Sequence, residues 1–149
     1  MKNFLPNQFG LTFHHLGLAV RQPTEINRFL CGLGYSIGEI IHDPEQNVHL
    51  AMCLHPVMPN LEIIYPADGA GPLDTLLERH KDGLVYHICY VTQDLDATLD
   101  ALESSNGIRL FCVSPPKPAV LFGGARVSFY LVAGVGLIEI LDQGSAGTA

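Results

Sequence analysis

One pattern of chemistry occurs twice in these 149 residues, and that repetition constrains the fold more than any other feature. His15 stands in HLGLAV and His87 in HICYVT, each in a strand-like run that precedes an amphipathic helix. Glu62 stands in LEII and Glu139 in IEIL, each in the last strand-like run of its half. The two His and the two Glu recur at nearly equal intervals, so the chain reads as two copies of one supersecondary unit.

The periodicity around these residues fills in the unit. Residues 12–20 (TFHHLGLAV) alternate as a strand, with Phe13, His15, Gly17 and Ala19 on one face and His14, Leu16, Leu18 and Val20 on the other. Residues 23–33 place Ile26, Phe29, Leu30 and Leu33 at helical spacing, with Pro and Thr at the start and Gly34 just past the end. Strand-like runs over 35–42, 48–54 and 61–65 follow, separated by the turn-forming DPEQN and HPVMPN. A helical linker over about 72–80 opens a second cycle. It comprises a strand over 84–91, a helix over 95–104 with Leu95, Leu99 and Leu102 on one stripe, and strand-like runs over 108–113, 125–132 and 135–141. The expected architecture is α+β: one domain over 1–149 made of two tandem βαβββ modules. Module one covers about 12–66 and module two about 84–142. The tail 143–149, small and polar, is expected to be disordered.

Composition supports a folded domain and excludes several partners. With 48% hydrophobic and 15% charged residues, a chain of this length buries a core without disulfide or metal staples. Eight basic against 15 acidic side chains give a net charge of −7, too few cations to neutralise a run of phosphates, so nucleic acid is not expected as a partner. No apolar run approaches the roughly 20 residues of a spanning helix, so no membrane is expected either. The opening MKNFLPNQFG lacks the apolar core of a signal peptide, and Cys31, Cys53, Cys89 and Cys112 form no CxxC pair; both point to a cytoplasmic, reduced protein. Seven His are the one compositional excess.

An ionised Glu between aliphatic neighbours, Leu61, Ile63 and Ile64 in one case and Leu137, Ile138 and Ile140 in the other, requires a cation. If the two halves are related by a pseudo-twofold axis, His15, Glu62, His87 and Glu139 converge as two imidazoles and two carboxylates. That set suits a borderline divalent ion such as Co, Mn, Ni or Zn, with open positions for water or substrate. Taken singly, a His in a strand or a Glu on an edge is usually structural or solvated; the paired repeat reverses that preference. His14 falls on the other face of its strand and reads as structural; Cys89, two residues after His87 and on the same face, could line the cleft but reads more readily as a small core residue.

These motifs resemble the vicinal oxygen chelate superfamily, which includes glyoxalase I, extradiol dioxygenases and methylmalonyl-CoA epimerase. The likeness runs from Phe13 to about Asp142. HHLGLAV, DPEQNV, LEIIYP, PLDTLLERHKDGLVYHICYV and GLIEILD occur in the order found in the epimerase branch. The resemblance implies two βαβββ modules curved as a mixed sheet around a metal-centred cleft, metal ligands at His15, Glu62, His87 and Glu139, and a homodimer. It also implies an isomerase that removes a proton α to a thioester carbonyl, acting on a small molecule of the acyl-CoA type. Glu139 is the expected ligand that also shuttles protons; the second acid is either His49 recruited through a bulge, Glu62 or a water, unless the enzyme does not use two bases.

Two segments bear on the substrate. Some epimerases of this family place a second Glu on the strand after the PEQ loop; gapless register puts Leu50 there, with His49 adjacent and reachable only through a bulge. Residues 114–124 (SPPKPAVLFGG) read as a stiff extended loop in which Gly123 and Gly124 permit close backbone approach and Lys117 and Arg126 could meet a phosphate or carboxylate. An ordinary rigid loop with two solvated cations is an equally good reading. The competing functions are a glyoxalase I-like enzyme, whose bacterial members share the ligand set, and a non-catalytic small-molecule binder of the resistance type. The missing NPDGY-like approach to the closing strand weighs against the first, and the intact quartet against the second.

Overall fold

The computed structural model describes residues 7–80 and 82–145, which divide into two compact units. One unit is His15–Tyr86; the other joins the described residues up to His14 with those from His87 onward. The fold class is α+β, and each unit runs strand, helix and then further strands, four in the first and three in the second.

In the first unit, strand β1 (Thr12–Ala19) leads to helix α1 (Thr24–Gly32), short strands β2 (Ser36–Ile37) and β3 (Ile41–Asp43), and strands β4 (Val48–Leu54) and β5 (Leu61–Pro66). β1 pairs parallel with β5, β5 antiparallel with β4, and both β2 and β3 lie along the far edge of β4. The periodicity suggests one continuous strand over 35–42. In the structure it is broken at Gly38, whose N–H donates to Met52 O at 2.8 Å, and a Cβ there would lie 2.5 Å from that same oxygen. Only glycine allows this approach.

The strands of this unit are covered on both faces. Leu30 of α1, 2% exposed, packs with Val20, Tyr35, Cys53 and Ile63 on one face, while Phe29 and Leu33 of the same apolar stripe stay largely in solvent. Helix α2 (Pro72–Arg79) starts at a proline and at Gly71, whose N–H donates to the Asp74 carboxylate at 2.8 Å. Its Leu73 and Leu77 cover Ala19, Val48 and Ile64 on the other face.

In the second unit, strand β6 (Leu84–Thr92) precedes helix α3 (Leu95–Ser104), then strands β7 (Leu110–Pro118), β8 (Arg126–Val132) and β9 (Gly136–Asp142). β6 pairs parallel with β9, and β9, β8 and β7 follow antiparallel. Asp94 caps α3 by accepting from Ala97 N at 3.0 Å. Leu95 and Leu102 are buried, with Leu99 packed partly behind them.

Two expectations are corrected here. The segment 114–124 is not wholly a loop: β7 continues to Pro118 at the sheet edge, with register shifts between Cys112 and Ser114 and between Ser114 and Lys117. Prolines lack the ladder donor and are tolerated on an edge strand with such bulges. The first three residues of the expected tail, 143–145, are folded. Residues Gln143–Ser145 form a turn in which Ser145 Oγ accepts from Arg126 N at 3.0 Å and donates to Asp142 O at 2.6 Å; residues 146–149 lie outside the described residues. Among the described residues no helix is long and apolar enough to cross a membrane.

Candidate metal centre

The same local geometry is built once in each unit. Glu62 is the register partner of Gly17 in the parallel β1–β5 pair, and His15 lies two residues before Gly17, so both side chains share a face. His15 is fully buried and Glu62 is 3% exposed, with Nε2 and Oε2 separated by 3.6 Å. In the second unit Glu139 is the partner of Cys89, and His87 lies two residues before Cys89. Again Nε2 and a carboxylate oxygen stand 3.6 Å apart, with both residues buried. Sequence shows the repeat of residue types; the structure shows that it is also a repeat of register.

A separation of 3.6 Å is longer than a good N–H···O hydrogen bond. Two ligand atoms bonded to one ion at about 2.1 Å stand roughly 3.0–3.4 Å apart, so little movement would place an ion between the members of either pair. The electrostatics agree with this. Burial lowers the pKa of His15, partly offset by the Glu62 carboxylate, which keeps the imidazole in the neutral form that binds metals. Burial pushes the Glu139 carboxyl up to about 7, against a hydrogen bond from Cys89 that lowers it. A cation is what would restore its charge. The donor set of each unit therefore fits a borderline divalent ion.

The remaining candidates are placed as follows. His14 meets Phe122 edge-on at 5.5 Å, and one of its ring nitrogens lies within 4.8 Å of Cys89 Sγ. Leu50 pairs with Ile64, on the Glu62 face, and packs against the cluster of Ala19, Val48, Ile64, Leu73 and Leu77. His49 pairs with Tyr65 and faces the other way. The β4–β5 register runs unshifted from Val48 to Cys53, so the bulge that could have turned His49 toward Glu62 is not formed.

Lys117 partners Val127, on the Glu139 face of β8, whereas Arg126 partners Asp142 on the opposite face. The two cations are therefore not brought together. Gly123 and Gly124 adopt φ of +63° and +88° in a turn closed by Gly124 N–H to Ala119 O, and a Cβ at either would meet nothing within 4 Å. Their glycines answer to backbone sign rather than to close approach.

Two further residues line the second pair, and only Phe129 of the two was missed from sequence. Phe129 is the register partner of Glu139 on β8 and stands edge-on to His87 at 5.5 Å. Cys89 is both a core residue and the thiol that hydrogen-bonds Glu139. The alternation of β8 carried a signal for Phe129, since it places Val127, Phe129 and Leu131 on one face.

Comparison with known proteins agrees with this architecture. An ethylmalonyl-CoA/methylmalonyl-CoA epimerase of Cereibacter sphaeroides is 29% identical over 87 residues, which cover 57% of this chain and 62% of that protein, so the match spans under two thirds of the relative. The crystal structure of methylmalonyl-CoA epimerase from Mycobacterium tuberculosis superposes with a TM-score of 0.69 at 21% identity, covering 87% of this chain and 86% of the other. A Streptomyces coelicolor methylmalonyl-CoA epimerase variant in complex with 2-nitronate-propionyl-CoA gives 0.66 at 20% identity, covering 87% and 95%. A family model matches residues 14–129, a span that includes three of the four buried His and Glu residues, and by that match the chain belongs to the Glyoxalase/Bleomycin resistance protein/Dioxygenase superfamily.

Proposed function

We propose that the chain is a divalent-metal-dependent epimerase that exchanges the proton on a carbon α to a thioester carbonyl, with a small acyl-CoA of the methylmalonyl type as substrate. The observation that carries this reading is the duplicated, buried His–Glu pair at 3.6 Å in equivalent register on β1–β5 and β6–β9. Similarity to epimerases that act on methylmalonyl-CoA supports the substrate class.

In this proposal His15, Glu62, His87 and Glu139 are the residues that would ligate metal. A bound divalent cation would supply Lewis-acid stabilisation to the negative charge that develops on the carbonyl oxygen as the α-proton leaves, worth several kcal/mol. Glu139 accepts that proton at a carboxylate oxygen. Its burial beside Phe129 excludes water, and the Cys89 thiol orients the group. Glu62 returns a proton as the second acid. Leu50 occupies an apolar cluster where a charge would be unsupported, and the His49 side chain is on the other face of β4.

The test is deuterium exchange at C2 of methylmalonyl-CoA in D2O, using protein stripped with EDTA and reloaded with Co(II) or Mn(II). Metal-dependent exchange is expected, and Glu62→Gln should slow it by about 100-fold or more. Absence of exchange with every divalent ion, or turnover of a methylglyoxal–glutathione hemithioacetal in its place, would overturn the proposal.

A further inference from the structure

The excess of His is not used up by the two buried pairs. His55 is committed to its own loop: one ring nitrogen meets Leu33 O at 2.9 Å and the other accepts from Val57 N and Met58 N at 3.1 and 2.9 Å. His14 packs on Phe122, and His80 ends α2. His42 and His49 are left, and the fold sets them directly opposite each other.

They are register partners in the antiparallel β3–β4 pair, so their side chains leave the sheet side by side on one face. His42 is exposed and His49 half-buried. Their ring centroids are 5.3 Å apart with the planes tilted by 44°, and the His49 ring is braced on its far side by Tyr65 at 5.1 Å. This face is the reverse of the one that carries Glu62.

We infer that His42 and His49 form a second, surface site for a borderline divalent transition ion such as Zn(II), Ni(II) or Cu(II). The spacing supports this. A metal–nitrogen bond of about 2.0–2.1 Å puts each ring centroid about 3.2 Å from a shared ion. Centroids 5.3 Å apart then subtend roughly 110° at that ion, close to a tetrahedral angle. Two imidazoles select such ions over Ca(II) and Mg(II), which take oxygen ligands. The neighbouring Asp43 carboxylate is held by the backbone N–H groups of Glu45 and Gln46 and by the Gln46 amide, so water completes the shell.

The β strands presenting both imidazoles are already formed, so ordering them for chelation asks little of the backbone. An ion held there also ties β3 to β4, which pair over only three positions, Ile41↔Leu50, His42↔His49 and Asp43↔Val48. Binding should therefore raise the melting temperature.

The test is calorimetric titration of the EDTA-stripped protein with ZnCl2, for wild type, His42→Ala, His49→Ala and His80→Ala. Two classes of binding are expected. The weaker should fall by about 100-fold in affinity in either of the first two variants, because one ligand alone forfeits chelation, and should stay unchanged in His80→Ala. It should also persist in Glu139→Gln, which separates failure of this site from failure of the buried centre. Independently of any variant, substoichiometric Cu(II) should broaden the ring proton resonances of His42 and His49 together. Zinc binding that is indifferent to both alanine variants, or sensitive to only one, or Cu(II) that leaves those two resonances sharp, would overturn the inference.

Discussion

Replacing Glu139 by Gln should stabilise the metal-free protein at neutral pH. Burial raises this carboxyl from an ordinary 4.5 to about 7, and at about 1.4 kcal/mol per tenfold change in proton activity that corresponds to about 3 kcal/mol. The group is only 4% exposed, so solvent screening removes little of it. Below pH 4.5 Glu139 carries a proton in both folded and unfolded chains and contributes no pH dependence. Between 4.5 and about 7 the unfolded chain ionises while the folded one keeps its proton, so stability falls as pH rises; above about 7 the loss is complete.

The glutamine side chain has nearly the same shape and no charge, so its contribution is level across this range. Urea unfolding followed by circular dichroism, in EDTA at pH 5, 6, 7 and 8, measures the effect as the difference between the two proteins, which cancels the titrating groups that do not interact with residue 139. In wild type the lowered pKa of His15 acts in the opposite sense, making stability rise with pH toward 6.5. The variant should gain on wild type by about 2.5 kcal/mol between pH 5 and 8, or roughly 5–10 °C in melting temperature. Adding Co(II) or Mn(II) should reverse the order, because only wild type offers the ion its full charge. A difference that stays level with pH, or that grows in favour of wild type without metal, would refute the electrostatic reasoning.

Two substitutions test the elements that position the site. Asp94→Ala removes the side-chain acceptor for Ala97 N at the start of α3 and should cost about 1 kcal/mol, read as a fall of roughly 2–4 °C in melting temperature. Gly38→Ala drives a methyl against Met52 O on β4; thermal denaturation should show a loss of at least about 1 kcal/mol, and an unchanged midpoint would mean that the break between β2 and β3 does not depend on glycine.

Much of this protein is legible in one dimension. Alternation around His15 and His87, helical spacing in 23–33 and 95–104, and turn residues between strands define two βαβββ modules, because side-chain periods of 2 and 3.6 follow from backbone geometry alone. The special role of Glu62 and Glu139 is legible in their recurrence with His15 and His87, and both are buried. What stays hidden depends on partners distant in sequence. A 35–42 run that alternates as one strand is broken because Gly38 meets the Met52 carbonyl on β4. A proline-rich segment that reads as loop becomes an edge strand because β8 offers it a partner.

The same division applies to the chemistry. Sequence alone determined which residue types the chain places in its apolar layers, since a charge among aliphatic side chains demands compensation wherever it folds. Only tertiary structure decided the register: that each Glu lies beside the residue two places after its His, that Leu50 rather than His49 shares the Glu62 face, that Lys117 and Arg126 point apart, and that His42 meets His49. The physical reason is that a shift of one residue in pairing reverses every side chain on a strand, and the pairing is fixed by the packing of both faces rather than by either strand alone.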